Sequence, residues 1–198
     1  MTAPDAPAFD LSAAARQLAE VASGIGDDQL AAPTPCTGIP VGGLLSHVLG
    51  LSEAFRAAAA KTPDSGTPPG SGPLPELPAG WRQELPDRLD ALVKAWQVPD
   101  AWTGEATAGG ATMAAPQIAT VALDELVLHG WDLAAATGQP YAVRPEDVRT
   151  CLGFVEPTAQ PEGVPGLFGP PVPVAPDAPA LDRLLGLSGR DPRWSPSA

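Results

Sequence analysis

Residues 116–138 read PQIATVALDELVLHGWDLAAATG. Pro116 suits the first turn of a helix, where its missing N–H has no partner to lose. Gly138 suits the position just past the last turn, where a left-handed backbone is needed. A helix from Pro116 to Thr137 spans about 33 Å at about 1.5 Å per residue. It is apolar nearly all round, as a helix buried among other helices should be. The stripe through Glu125 and His129 continues as Ile118, Ala122, Asp132 and Ala136, so those two polar residues point where core side chains would point.

The segments on either side carry the same helical period. Over residues 10–25, Leu11, Leu18, Val21, Ala22 and Ile25 form a stripe, with Asp10 or Ser12 as a cap and Gly24-Ile25-Gly26 as the stop. From Val41 to Lys61, Leu44, His47, Val48, Leu51 and Phe55 fall on one face, while Gly42 and Gly43 weaken the first turn. From Trp81 to Gln97 the stripe is Trp81, Leu85, Leu89, Leu92 and Trp96, and Pro86 either kinks this helix or marks its true first turn. A fifth helix is expected from Pro145 to Glu156, and a short terminal one from Ala180 to Gly186. Between these lie a turn-rich connection at 27–40, a loop-like stretch at 98–115 with room for a short strand or extended arm around Gly109-Gly110, and a proline-rich extended run from Pro157 to Pro179. Residues 62–80, TPDSGTPPGSGPLPELPAG, read as an exposed, mobile loop. The pattern predicts an all-α protein built on four long helices. Residues 1–156 form the bundle, and residues 157–198 are an extension packed on it or trailing from it.

Charge narrows the partners. The net charge of −12 over 198 residues argues against nucleic acid, whose phosphates need clustered Lys and Arg, and against an anionic membrane surface. No apolar run reaches the length of a spanning helix. Met1 to Phe9 lacks the basic and apolar regions of a secretory signal, which points to the cytoplasm. Cys36 and Cys151, the two cysteines, form no Cys-x-x-Cys pair and are expected as free thiols.

The chain has two histidines, His47 and His129. Glu125 and His129 lie one turn apart, about 6 Å between Cβ atoms, a spacing that lets two side chains grip one ion, as in His-Glu-x-x-His zinc helices. His47, on the inward stripe of another helix, can supply a third ligand. A carboxylate aimed into a core is costly unless a cation offsets it. Two imidazoles and a carboxylate suit Zn²⁺, with Fe²⁺, Ni²⁺ or Mn²⁺ as alternatives, and three protein ligands leave a coordination position open. The same residues also admit a plainer reading, His47 as a hydrogen-bonded core histidine and Glu125–His129 as a helix-surface pair. Cys36 either approaches the metal or packs as a small apolar residue. Asp132 either orients a ligand imidazole or caps or pairs elsewhere. Trp131 either lines a pocket or packs in the core. Arg190, Arg193 and Trp194 either fold back over the bundle or form a solvated tail. Cys151 has no motif around it.

The stretch ELVLHGWDLAAATGQ (125–139) resembles the signature of the family related to the N-terminal domain of mycothiol-dependent maleylpyruvate isomerase, within the DinB-like metal-binding superfamily. PTPCTGIPVGGLLSHVLG (33–50) resembles that family's other motif, and FGPPVPVAPDAPALDRLLGLSGRDPRW (168–194) resembles its small stand-alone members. The resemblance implies a four-helix bundle in up-down-down-up order, with one metal held by His47, Glu125 and His129. It departs from the family at Ile39, where tryptophan is common, and in lacking the isomerase's separate C-terminal domain. The activity it implies is metal-dependent use of a low-molecular-weight thiol such as mycothiol, for isomerisation or S-transfer, on a small-molecule electrophile. A non-catalytic metal-binding sensor, carrier or partner-binding module is the alternative. A monomer or a homodimer is expected, with no nucleic acid or membrane partner.

Overall fold

The computed structural model describes residues 8–62 and 75–196. Its longest helix, Ala115–Thr137, has Pro116 in its first turn. The helix ends at Gly138, whose φ of 67° lets the Gly138 and Gln139 N–H groups bond back to Ala135 and Ala134 carbonyls. That double bond is a Schellman stop, and only a glycine-like backbone allows it cheaply.

Among the described residues six α-helices form: α1 (Ser12–Ser23), α2 (Val41–Ala59), α3 (Trp81–Trp96), α4 (Ala115–Thr137), α5 (Pro145–Thr158) and α6 (Ala180–Leu187). Helices α1 and α2 each pack against both α3 and α4, while α5 joins α4 to α6. The Asp10 carboxylate accepts from the Ser12 backbone N–H (2.9 Å) and hydroxyl (2.6 Å), securing the first turn of α1. Pro86 sits inside α3, past its first turn. Its side chain is exposed, so the carbonyl that loses an N–H partner there is on the solvent side.

The expectation of an all-α chain is corrected by a two-stranded antiparallel sheet, β1 (Glu105–Ala108) paired with β2 (Ala111–Ala114). Gly109 (φ 57°) and Gly110 (φ 76°) form its turn. Two adjacent positive φ values are what a two-residue hairpin of the right twist requires. The Thr107 and Thr112 hydroxyls bond across the strands at 2.8 Å. Helical period is absent from this stretch because a strand alternates every second residue: β1 lies against α2 and α4 with Ala106 and Ala108 buried and Glu105 and Thr107 on its other face.

One core runs through the described residues, from Leu11 and Leu18 through Leu44, Leu92, Trp96 and Leu123 to Leu184 and Leu185 on α6. The proline-rich run after α5 is docked: Val172 N–H donates to the Gly186 carbonyl at 2.8 Å, and Phe168 is buried. Of the segment 62–80 read as a loop, residues 63–74 lie outside the described residues. Its end is anchored where the Ser46 hydroxyl donates to the Pro75 carbonyl at 2.8 Å.

Candidate metal centre

Helices α2 and α4 face one another, and their inward stripes bring His47, Glu125 and His129 together. The Glu125 Oε2 atom lies 2.8 Å from His129 Nε2 and 3.8 Å from His47 Nε2. The two imidazole rings meet nearly edge to face, centroids 5.0 Å apart at 82°. One ligand atom from each residue lies within 4.8 Å of the other two. Ligand bonds of about 2.1 Å in a tetrahedral site place neighbouring ligand atoms about 3.4 Å apart, so the three atoms fit around one ion with small adjustments. His47 and Glu125 side chains are 30% and 22% exposed, against 10% for His129, so the cluster opens to solvent on its His47 side.

The protonation pattern reinforces this fit. His129 Nδ1 is 3.0 Å from Asp132 Oδ2, one turn further along α4. A carboxylate there makes Nδ1 the N–H, which leaves the Nε2 lone pair facing the Glu125 carboxylate. Two acceptors at 2.8 Å need a cation between them, either a proton or a metal ion. In the proton-bound form, burial pushes His129 down. The Glu125 charge and bonds to Asp132 and Cys36 outweigh it and hold the imidazole well above its ordinary value. Burial likewise pushes Glu125 up, but His129 and His47 hold it below the usual carboxylate range.

Asp132 is fully buried and carries a second set of bonds. Arg190 donates Nε–H to Oδ1 at 2.9 Å and Nη2–H to Oδ2 at 2.8 Å, a two-point pair. The Cys36 thiol donates to the same Oδ2 at 3.1 Å. Burial raises the Asp132 carboxyl, yet Arg190 and His129 together bring it down to about 2. Asp132 thus bonds to His129 on its own helix and pairs with the tail through Arg190. Of the tail residues, Arg190 is buried, Trp194 packs against the core, and the Arg193 side chain is 87% exposed. Cys36 bonds to Asp132 and lies outside the His47–Glu125–His129 cluster. Trp131 is buried in the core.

Two features escaped the sequence reading. Arg190 is the counter-ion of a buried acid 58 positions away. The available signal was that Asp132 on an apolar helix demands a cation while the chain offers 11 Lys and Arg. The second is Asp124, buried beside Cys151. Among the described residues its Oδ1 is the buried side-chain oxygen or nitrogen without a hydrogen-bond partner. Burial, then the neighbouring Glu125 charge, pushes its carboxyl up to about 8.

Comparison with known proteins agrees with this architecture. Residues 11–134 match the family model of the mycothiol maleylpyruvate isomerase N-terminal domain. An uncharacterized protein of Mycobacterium tuberculosis strain H37Rv is 30% identical over 181 residues, 84% of this chain and 87% of the relative. A protein of strain CDC 1551 matches to the same extent. The crystal structure of the mycothiol-dependent maleylpyruvate isomerase superposes with a TM-score of 0.50 at 20% identity, covering 73% of this chain. This chain spans 66% of that isomerase's length, less than two thirds, and the likeness is one of fold. With the family model matching most of the chain and a relative aligned along 84% of it, the chain belongs to the mycothiol maleylpyruvate isomerase N-terminal domain family.

Proposed function

We propose that this protein binds one divalent metal ion, zinc in the first instance, through His47, Glu125 and His129, and uses it on a low-molecular-weight thiol of the mycothiol type. The observation that carries this reading is the convergence of the three ligand atoms, with His129 oriented by a buried carboxylate behind it. When bound, such an ion lowers the pKa of a thiol or water and polarises an electrophile. The chain's own residues do the rest. Glu125 supplies the anionic ligand, His47 the solvent-facing one, and Asp132 holds His129 in the tautomer whose Nε2 is free. The family favours thiol-dependent isomerisation or S-transfer. The tertiary arrangement is read as the DinB-like bundle in up-down-down-up order, supported by the packing of α1 and α2 on both α3 and α4. Residues 1–156 act as the metal-binding unit and 157–198 as its extension, in the cytoplasm. Among the described residues, no helix is long and apolar enough to cross a membrane.

A second reading, a metal sensor or carrier without catalysis, draws on one observation. The cavity that Glu125 lines with Val48, Leu51, Phe55 and Leu92 holds about 10 Å³, room for one water, so no substrate-sized space adjoins Glu125 on that side. Elemental mass spectrometry of wild type and His129→Ala, purified without chelator, tests the site: near-stoichiometric metal lost in the variant is expected. Metal in neither protein, even after incubation with zinc, sinks it. Incubating loaded protein with thiol and electrophilic acceptors then separates the two readings, since only the enzyme turns over.

A further inference from the structure

We infer that Cys36 and Arg190 are positioning residues for the metal centre, acting through Asp132 to fix the ring of His129. This rests on the metal-site reading above. Asp132 lies at a junction of three chain segments: α4 itself, the loop at 33–40 that leads into α2, and the tail after α6. Its Oδ2 accepts from His129 Nδ1 at 3.0 Å, Cys36 Sγ at 3.1 Å and Arg190 Nη2 at 2.8 Å, while Oδ1 accepts from Arg190 Nε at 2.9 Å. Four donors on one carboxylate leave its plane and position no slack. The His129 ring therefore has one orientation, with Nδ1–H toward Asp132 and Nε2 toward Glu125.

Each outer partner has its own geometric job. Arg190 supplies the positive charge that lets a fully buried carboxylate stay ionised. It is aimed inward by the turn at Gly189 (φ 82°), by its own N–H bonding to the Leu185 carbonyl at 2.8 Å, and by Nη1 donating to the Ser188 carbonyl at 3.1 Å. Cys36 belongs to the loop that feeds the helix carrying His47. Thr34 braces that loop, its hydroxyl donating to the Ile39 carbonyl at 2.7 Å. The Cys36–Asp132 bond thus ties the approach to one ligand helix to the other ligand helix. Cys36, His129 and Asp132 also lie close enough to suggest a metal cluster of their own. The Arg190 guanidinium already sits on that carboxylate and 3.5 Å from the Cys36 sulfur, so a protein cation fills that place. The consequence is that the extension and the centre are coupled: docking the tail sets how well His129 is presented.

The test uses the full chain, with Cys36→Ala, Cys36→Ser, Arg190→Lys and Arg190→Met. Zinc affinity is measured by competition with a chromophoric chelator, and the His129 imidazole N–H is followed by nitrogen-15 NMR, with and without zinc. Cys36→Ala and both Arg190 variants are expected to weaken zinc binding by up to about 10-fold, the low end of the cost of losing a ligand's own orienting partner, since they act through Asp132. Cys36→Ser keeps a donor and should stay within about threefold of wild type. The hydrogen-bonded Nδ1–H signal should weaken or shift in the same variants that lose affinity. Circular dichroism confirms folding, and if Arg190→Met does not fold, Arg190→Lys and Cys36→Ala carry the test. Folded Cys36→Ala and Arg190→Lys that bind zinc like wild type, with an unchanged Nδ1–H signal, overturn the inference while leaving the metal site standing. If wild type binds no zinc, the metal reading fails instead. The Nδ1–H signal of the metal-free variants then decides the positioning claim, its loss supporting it and its persistence overturning it.

Discussion

Replacing Asp132 with Asn changes one charge and almost no volume, at a residue with no solvent exposure. The amide keeps an oxygen for the His129 Nδ1–H but leaves the Arg190 guanidinium, itself 8% exposed, without its anion. Breaking a buried ion pair from one side costs about 3–5 kcal/mol. For a chain of this length each kcal/mol moves the melting midpoint by about 2–4 °C, so Tm should fall by roughly 6–20 °C. The chain has one cheaper escape. The tail can undock and take Arg190 into water, in which case the global loss is smaller and limited proteolysis cuts the extension faster. Thermal melts by circular dichroism, paired with proteolysis, cover both routes. Adding Arg190→Met removes the orphaned charge, and the double variant should recover much of the loss. An Asp132→Asn protein with wild-type melting and wild-type protease resistance refutes the reasoning. So does a double variant whose cost is the plain sum of the singles to within about 0.5 kcal/mol.

Acid should expose the same carboxylate. Its folded pKa, about 2, lies below the ordinary 3.8. Its stabilising contribution is therefore present above 3.8 and lost as pH falls through about 2, and amounts to about 2 kcal/mol. Urea melts of metal-free protein from pH 5 down to 2 should show this loss in wild type and not in Asp132→Asn, and parallel curves would count against it. Gly130→Ala should cost about 1–3 kcal/mol, because the new Cβ would sit 2.9 Å from the Tyr141 hydroxyl and displace its bond to the Val127 carbonyl. Chemical denaturation reads that directly, and a neutral result would mean Tyr141 moves freely. Gly138→Ala meets no atom within 4 Å, so its cost is the left-handed backbone alone, about 1–2 kcal/mol. A larger loss would mean the Schellman stop does more than end α4.

The amino-acid sequence by itself marked out the helices and named His47, Glu125 and His129 as candidate ligands. Apolar period is a local property, and Pro116 and Gly138 bracket α4 through backbone rules that involve no other part of the chain. Glu125 and His129 stand one turn apart on the same helix, so their pairing was legible from spacing. The hairpin at 105–114 was not, because its strands are four residues long and its signal, Gly109-Gly110, fits any turn. His47 came to the pair only through the packing of α2 on α4. The bonds that hold His129 in place came from further still. Cys36 and Arg190 lie 96 and 58 positions from Asp132, and nothing local marks a donor for a carboxylate that far along the chain. A buried charge states that a partner must exist. Only the tertiary structure, by bringing a loop and a tail to the same side of α4, decided which residues answer it.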